Sequence, residues 1–154
     1  LEDKAVDEKF MAEALLEARK AAAIGEVPIG AVITCKGEII ARGFNKKETS
    51  TDPTLHGEIV AITAAAKALK AWRLAETTLY VTLEPCLMCM GALIAARVPR
   101  LVFGASDPKA GACGSLFDVS DDARLNHRIE VVRGIGMNEA STLLKSFFRE
   151  LRNR

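Results

Sequence analysis

The sequence predicts an α/β fold, a three-layer α/β/α sandwich around a mixed, mainly parallel five-stranded sheet. Segments of helical and strand character follow one another in the order α-β-β-α-β-α-β-loop-β-α. Strands separated by helices pair in parallel and leave helices on both faces of the sheet. Only the first two strands follow each other directly, and that hairpin makes the sheet mixed. The size agrees. A chain of 154 residues, 49% hydrophobic and 27% charged, has the length of one domain with one core and the composition of a folded protein. Residues 1–154 are therefore read as a single domain.

Each element has its own signal. Residues 10–22 place Phe10, Met11, Ala14, Leu15, Ala18 and Ala22 at helical spacing, with Gly25 as the stop. Residues 29–33 and 38–44 are strands around Lys36-Gly37, a hairpin-type turn. A polar loop over 45–54 ends in Asp52-Pro53-Thr54, a helix-start signal, and the Ala-rich stretch 59–69 is helical. Residues 78–83 are rich in β-branched side chains and form a strand. Glu84-Pro85 breaks it, and 86–96 is helical again. A short buried strand at 101–103 leads into a Gly-rich loop over 104–114. A last strand spans 128–132. The helix at 139–151 gathers Ala140, Leu143, Leu144, Phe147, Phe148 and Leu151 on one face, so Phe147, Phe148 or both are expected to pack inward.

Charge narrows the function classes. The net charge of +1 excludes a binder of polyanions that works by bulk charge. The total hides an asymmetry. Residues 1–17 hold two basic and six acidic side chains, and residues 124–154 hold seven basic and three acidic. The acidic N-terminal helix is expected to face away from whatever the basic end contacts. No run of about 18 apolar residues exists, and Leu1-Glu2-Asp3-Lys4 lacks the apolar core of a secretion signal. No membrane partner and a cytoplasmic location are the expectation. In that compartment Cys35, Cys86, Cys89 and Cys113 serve as thiols or metal ligands rather than a disulfide framework.

The chemistry concentrates in His56-Gly57-Glu58 and Pro85-Cys86-Leu87-Met88-Cys89. Cysteines at i and i+3 of a helix start reach one ion together. One His and two Cys give three protein ligands and leave a fourth tetrahedral position open, the pattern of a catalytic zinc. Helix N-termini favour thiolates at Cys86 and Cys89. Glu58 and His56 lie roughly 200° apart around an ideal helix, yet both face a site approached end-on. A carboxylate there can pass protons from a zinc-activated water to a leaving group. H-x-E followed by P-C-x-x-C is the signature of zinc-dependent nucleobase deaminases. Either half alone is weak; the two at successive helix starts, with 26 residues between Glu58 and Pro85, are specific.

Several further segments resemble bacterial tRNA-specific adenosine deaminases (TadA-type), of the cytidine deaminase-like superfamily. They are 26–32 (EVPIGAV), Gly43-Phe44-Asn45, Asp52-Pro53-Thr54, 78–86 (TLYVTLEPC), the loop 103–111 (FGASDPKAG), Gly114-Ser115-Leu116, Asn126-His127 and Phe147-Phe148-Arg149. The similarity runs from about Phe10 to Arg152. One departure sits inside the motif, where Gly57 stands in place of the usual Ala.

The resemblance implies hydrolytic deamination of adenosine to inosine at the wobble position of a tRNA anticodon, with release of ammonia. It implies one Zn²⁺ per chain on His56, Cys86 and Cys89, with Glu58 as the catalytic proton carrier. Asn45 would hydrogen-bond the flipped nucleoside, and Val27, Pro28 and Leu83 would wall the base pocket. Asp107 and Lys109 would contact neighbouring nucleotides, with Phe148, Arg149 and Arg152 along the bound loop. The partners implied are a tRNA anticodon stem-loop and a second copy of the chain; no nucleotide cofactor is expected. An anticodon loop suits base flipping, because unstacking costs least where pairing is absent.

Residue patterns alone leave other readings open. His56 and Glu58 also suit a helix cap and a surface carboxylate, and Cys86 and Cys89 a redox dithiol. A closed zinc site would draw a fourth ligand from Cys35, Cys113 or His127. Asn45 and Asp107-Pro108-Lys109 read as ordinary turns. Lys145, Arg149 and Arg152 form a basic stripe of the kind that is usually a solvated face. A deaminase of a free base, or a zinc module with Glu58 idle, would use the same residues.

Overall fold

The computed structural model describes residues 4–153. Glu2 and Asp3 of the acidic end and Arg154 of the basic end lie outside the described residues, as does Leu1. The elements run α1 (Lys4–Ala23), β1 (Gly30–Cys35), β2 (Glu38–Phe44), α2 (Gly57–Leu69), β3 (Thr77–Leu83), α3 (Leu87–Ala95), β4 (Arg100–Ala105), β5 (Glu130–Arg133) and α4 (Met137–Arg152). This is the element order that periodicity predicts.

The sheet order is β2-β1-β3-β4-β5. β1 pairs antiparallel with both β2 and β3, while β3, β4 and β5 pair in parallel. Four strands therefore point one way and β1 alone runs against them. The reversal is made at Lys36 and Gly37, whose positive φ angles of 52° and 81° meet the requirement of a two-residue turn that twists with its strands.

Strand alternation divides the core into two layers. Ala31, Ile33, Leu79, Val81, Leu101 and Phe103 point to the side covered by α2 and α3, where Ala61, Ala65, Met90 and Leu93 meet them. Val32, Tyr80 and Val102 point the other way, onto Phe10, Met11, Ala14 and Leu15 of α1 and Ala140 of α4. α2 crosses β2 closely because residue 43 is glycine. A Cβ there would lie 2.6 Å from the Gly57 carbonyl oxygen and 2.8 Å from the Ala61 nitrogen. That close crossing brings the start of α2 down to the end of the sheet where β2, β3 and β4 terminate.

Two expectations change. α1 starts at Lys4 rather than Phe10; it packs in the same layer as α4, and none of its residues lines the hollow around Lys109, Arg149 and Arg152. Of its described acids, Asp7 is turned to an internal cation, Glu13 and Glu17 pair with cations nearer the surface, and Glu8 is exposed. Asp7 receives hydrogen bonds from Arg100 (2.9 and 2.8 Å) and the Tyr80 hydroxyl (2.9 Å). Glu13 and Glu17 pair with Arg42, and Glu17 also with Lys20. Apolar periodicity does not register such polar anchors. In α4, only Ala140 is fully buried; Leu143, Leu144 and Phe147 are half-buried, and Phe148 and Leu151 are exposed. Phe147 thus turns partly inward and Phe148 meets it edge-on, ring centroids 5.4 Å apart. The second half of α4 runs past the edge of the core.

Candidate metal centre and active site

His56 and Cys86 occupy equivalent positions, the residues immediately before α2 and α3, and both have extended backbone. Ser, Thr, Asp or Asn usually stands at such a position and caps the helix with its side chain. Neither His56 nor Cys86 caps; their side chains turn toward each other. The His56 Nδ1 atom lies 3.6 Å from Cys86 Sγ and 3.5 Å from Cys89 Sγ. All three ligand atoms fall within 4.8 Å of one another, and among the described residues no other His, Cys, Asp or Glu joins the group. Tetrahedral zinc with ordinary Zn–S and Zn–N bonds holds S and N roughly 3.5–3.6 Å apart. The separations and the soft donor set both fit that ion and leave its fourth position open.

The ligands also sit in a suitable field. A hydrogen bond from the Cys89 thiol and the nearby His56 push the Cys86 thiol down to about 3, against the opposing effect of burial. Cys89, which keeps the shared proton, is correspondingly pushed up. His56 is raised, chiefly by its hydrogen bond to Cys86. A divalent cation bound by the trio would displace the protons that these ligand atoms hold.

Glu58 lies in the first turn of α2 and is only 3% exposed. Burial pushes its carboxyl up to about 7, opposed by its own backbone amide and by His56. It faces a cavity of about 100 Å³ lined also by Ile29, His56, Leu83, Glu84, Cys86, Asp107 and Ala110. A carboxyl group in a small cavity beside three candidate metal ligands can take up and return a proton.

The other sequence candidates fall into three groups. Leu83 and Asp107 line the cavity. Val27 and Pro28 are not among its lining residues; the next residue, Ile29, is. Asn45 is buried beside them: its Nδ2 donates to the Val27 carbonyl (3.4 Å), and its Oδ1 accepts from the Lys47 amide (3.2 Å). Buried Glu26 accepts from the Glu48 and Thr49 amides at 3.2 and 2.6 Å and ties the same two loops together. The third group lines a separate hollow. Lys109, Phe148, Arg149 and Arg152 meet with Lys145 around an open hollow of about 610 Å³. The Asp107 carboxylate accepts from the Lys109 and Ala110 amides, so one turn joins the cavity to this basic hollow.

Sequence reading missed Ile29, Ala110 and Glu84. Glu84 read as a strand terminator, yet it is 3% exposed. Burial raises its pKa, but hydrogen bonds from Ser115, Asp107 and Cys113 outweigh that and hold it low. The proposed extra ligands resolve differently. His127 Nε2 bonds the Val98 carbonyl oxygen at 2.7 Å, and Cys35 and Cys113 are free thiols outside the trio.

Comparison with known proteins agrees with this geometry. The family model described as MafB19-like deaminase matches residues 5–152. The chain is 51% identical to the tRNA-specific adenosine deaminase of Bacillus subtilis (strain 168), over 96% of this chain and 92% of that protein. A structure solved in studies of A-to-I editing by tRNA:A34 deaminases at the wobble position of transfer RNA superposes with a TM-score of 0.85. It is 43% identical and covers 88% of this chain and 99% of its own. A guanine deaminase from Nitrosomonas europaea also superposes, with a TM-score of 0.76 at 27% identity, over 91% and 83% of the two chains.

Proposed function

The chain belongs to the MafB19-like deaminase family, and from that premise we propose that it deaminates adenosine to inosine at the wobble position of a tRNA anticodon. Water adds at C6 of the base, the C6–N bond breaks, and ammonia leaves. His56, Cys86 and Cys89 would hold one zinc ion per chain. When bound, the zinc supplies a water acidified to near neutral pH.

This chain's residues do the rest. Glu58 takes the proton of the attacking water and delivers protons to the ring nitrogen and the departing amine. Ile29, Leu83 and Ala110 close around the base and exclude bulk water. Asn45, locked between two loops, presents a buried amide beside the cavity for the nucleoside. Asp107 and Lys109 receive nucleotides next to the flipped one. Phe148, Arg149 and Arg152 support the strand that leaves the pocket, by stacking and by charge.

The observation that carries the substrate class is the continuity between the catalytic cavity and the basic hollow through the 107–110 turn. A deaminase of free guanine or cytosine has no use for four cations and an exposed Phe148 outside its mouth. The test incubates purified protein with anticodon stem-loop RNA and, separately, with free adenine and guanine, followed by mass spectrometry. Inosine in the RNA is the expected product; turnover of a free base alone would reject the reading.

The protein acts as one deaminase domain, in the cytoplasm where tRNA is available, and pairs with a second copy. Among the described residues no helix is long and apolar enough to cross a membrane. An apolar hollow between α2 and α3, lined by Ile62, Ala66, Trp72, Ala92 and Ala95, with Trp72 64% exposed, is the face assigned to the partner copy. Sedimentation velocity gives its answer directly: a dimer at micromolar concentration is expected.

A further inference from the structure

We propose that Glu84 is the positioning residue that holds the 107–115 loop against the ligand-bearing segment. It thereby sets affinity for the RNA rather than taking part in the bond changes. The proposal rests on the reading of the chain as a tRNA adenosine deaminase.

Glu84 stands directly after β3, two residues before the first cysteine ligand, and its side chain reaches the cavity wall. A buried carboxylate lining a deaminase cavity invites assignment as a second proton carrier. Its hydrogen bonds argue otherwise. Oε1 accepts from the Asp107 amide at 3.0 Å and from the Ser115 hydroxyl. Oε2 accepts from the amides of Cys113 and Ser115, each at 3.0 Å. A carboxylate offers about four lone-pair positions. The loop fills all four, which leaves none for a base or a water.

The backbone repeats the arrangement. The Glu84 amide donates to the Ala105 carbonyl at 2.8 Å, and the Ala112 amide donates to the Pro85 carbonyl at 2.8 Å. Cys86 and Gly111 form an antiparallel bridge. The loop is thus stitched to the residue that ligates the metal, and Glu84 fills its centre. Gly111 marks the tightness of the fit. A Cβ there would lie 2.5 Å from Glu84 Oε2 and 2.6 Å from the Asp107 carbonyl oxygen, so only glycine lets the carboxylate in.

The loop held this way carries two cavity residues, Asp107 and Ala110, and between them Lys109 of the basic hollow. One buried side chain therefore fixes the distance between the base cavity and the surface that receives the neighbouring nucleotides. Loosening it weakens RNA binding before it slows the reaction at C6, because Glu58 and the three ligands sit on other elements or on the far side of Pro85.

Two variants test this. Glu84→Gln replaces an acceptor oxygen with an N–H donor, so at least one loop amide loses its partner. Ser115→Ala keeps the carboxylate and removes one donor from an exposed residue. Each is assayed for metal content, for kcat and KM on anticodon stem-loop RNA, and for amide hydrogen exchange. The expected result for Glu84→Gln is unchanged metal content, KM raised at least ~10-fold and kcat within about 3-fold. Ser115→Ala moves KM the same way by less. Exchange rises at residues 107–115 and stays constant elsewhere. A kcat lowered ~100-fold at constant KM with metal retained would make Glu84 a proton carrier and overturn the proposal. Unchanged exchange in the loop would overturn it as well. Wild-type protein that leaves the stem-loop untouched would instead reject the functional reading, and the exchange data would still decide the role of Glu84.

Discussion

At the scale of single residues, the site consists of side chains placed where helix starts normally carry caps. His56 and Cys86 hold those positions without capping, and the gain is three donors on one point. Cys86→Ala should therefore lose metal and thermal stability together, because metal binding here is also folding free energy. Metal analysis and a melting curve on the same sample check this. Gly57 sits between His56 and Glu58 at the start of α2. An added Cβ would lie 3.3 Å from the Phe44 Cα and 3.4 Å from the Ile29 carbonyl oxygen, directed toward β2 and not toward the ligand atoms. Gly57→Ala is expected to change kcat by less than about 3-fold and stability by no more than about 1 kcal/mol. A deaminase assay and thermal unfolding read both; a ten-fold loss of rate would show that the close crossing at Gly43 cannot give. The cluster of His56, Cys86 and Cys89 was legible early because each half of the motif is local, a matter of i, i+2 and i, i+3 spacing. Glu84 and Ile29 were not, because their partners lie across the fold: Glu84 bonds residues 23 to 31 positions downstream.

At the scale of elements, the site stands at one end of the sheet, where β2, β3 and β4 finish and α2 and α3 begin. That end follows from the topology, since parallel strands and their crossover helices collect loops and helix N-termini on the same side. Periodicity was enough to order the elements, and one reversed strand at Lys36-Gly37 makes the sheet mixed. It was not enough for α4. The stripe from Ala140 to Leu151 reads as a core face, but only its first half finds the sheet. A helical pattern records which side is apolar and not how far the neighbouring layer extends. The overhanging half carries Phe148, Arg149 and Arg152 to the Lys109 turn. RNA affinity should fall with salt by a log–log slope near −0.7 per phosphate contacted. Removing both arginines (Arg149→Ala with Arg152→Ala) should flatten that slope in a filter-binding titration; an unchanged slope would place α4 outside the interface.

At the scale of the molecule, a net charge of +1 is compatible with the proposed RNA surface because the charges are sorted. Asp7 of α1 is drawn inward by Arg100, and Glu13 and Glu17 are paired with Arg42, while Lys109, Lys145, Arg149 and Arg152 gather around one open hollow. The inward pairs carry stability. Burial raises the Asp7 pKa, but the bonds from Arg100 and Tyr80 outweigh that and hold it below the ordinary carboxylate value. A depressed folded pKa means the stabilisation is complete above the unfolded value of about 3.9 and is lost as the pH falls through the lower folded value. Asp7→Asn should cost about 2 kcal/mol at neutral pH by weakening the charged hydrogen bonds to Arg100, which keeps Glu130, and it should weaken the acid dependence of urea unfolding. If Glu58 moves protons for a metal-assisted deamination of adenosine in RNA, its removal must leave the metal and abolish the rate. Wild type and Glu58→Ala are compared for metal content and for inosine formed in the anticodon stem-loop. Equal metal in both proteins is expected, with a rate lowered by ~10²–10⁴-fold or more in the variant. Inosine formation by Glu58→Ala at the wild-type rate would contradict it.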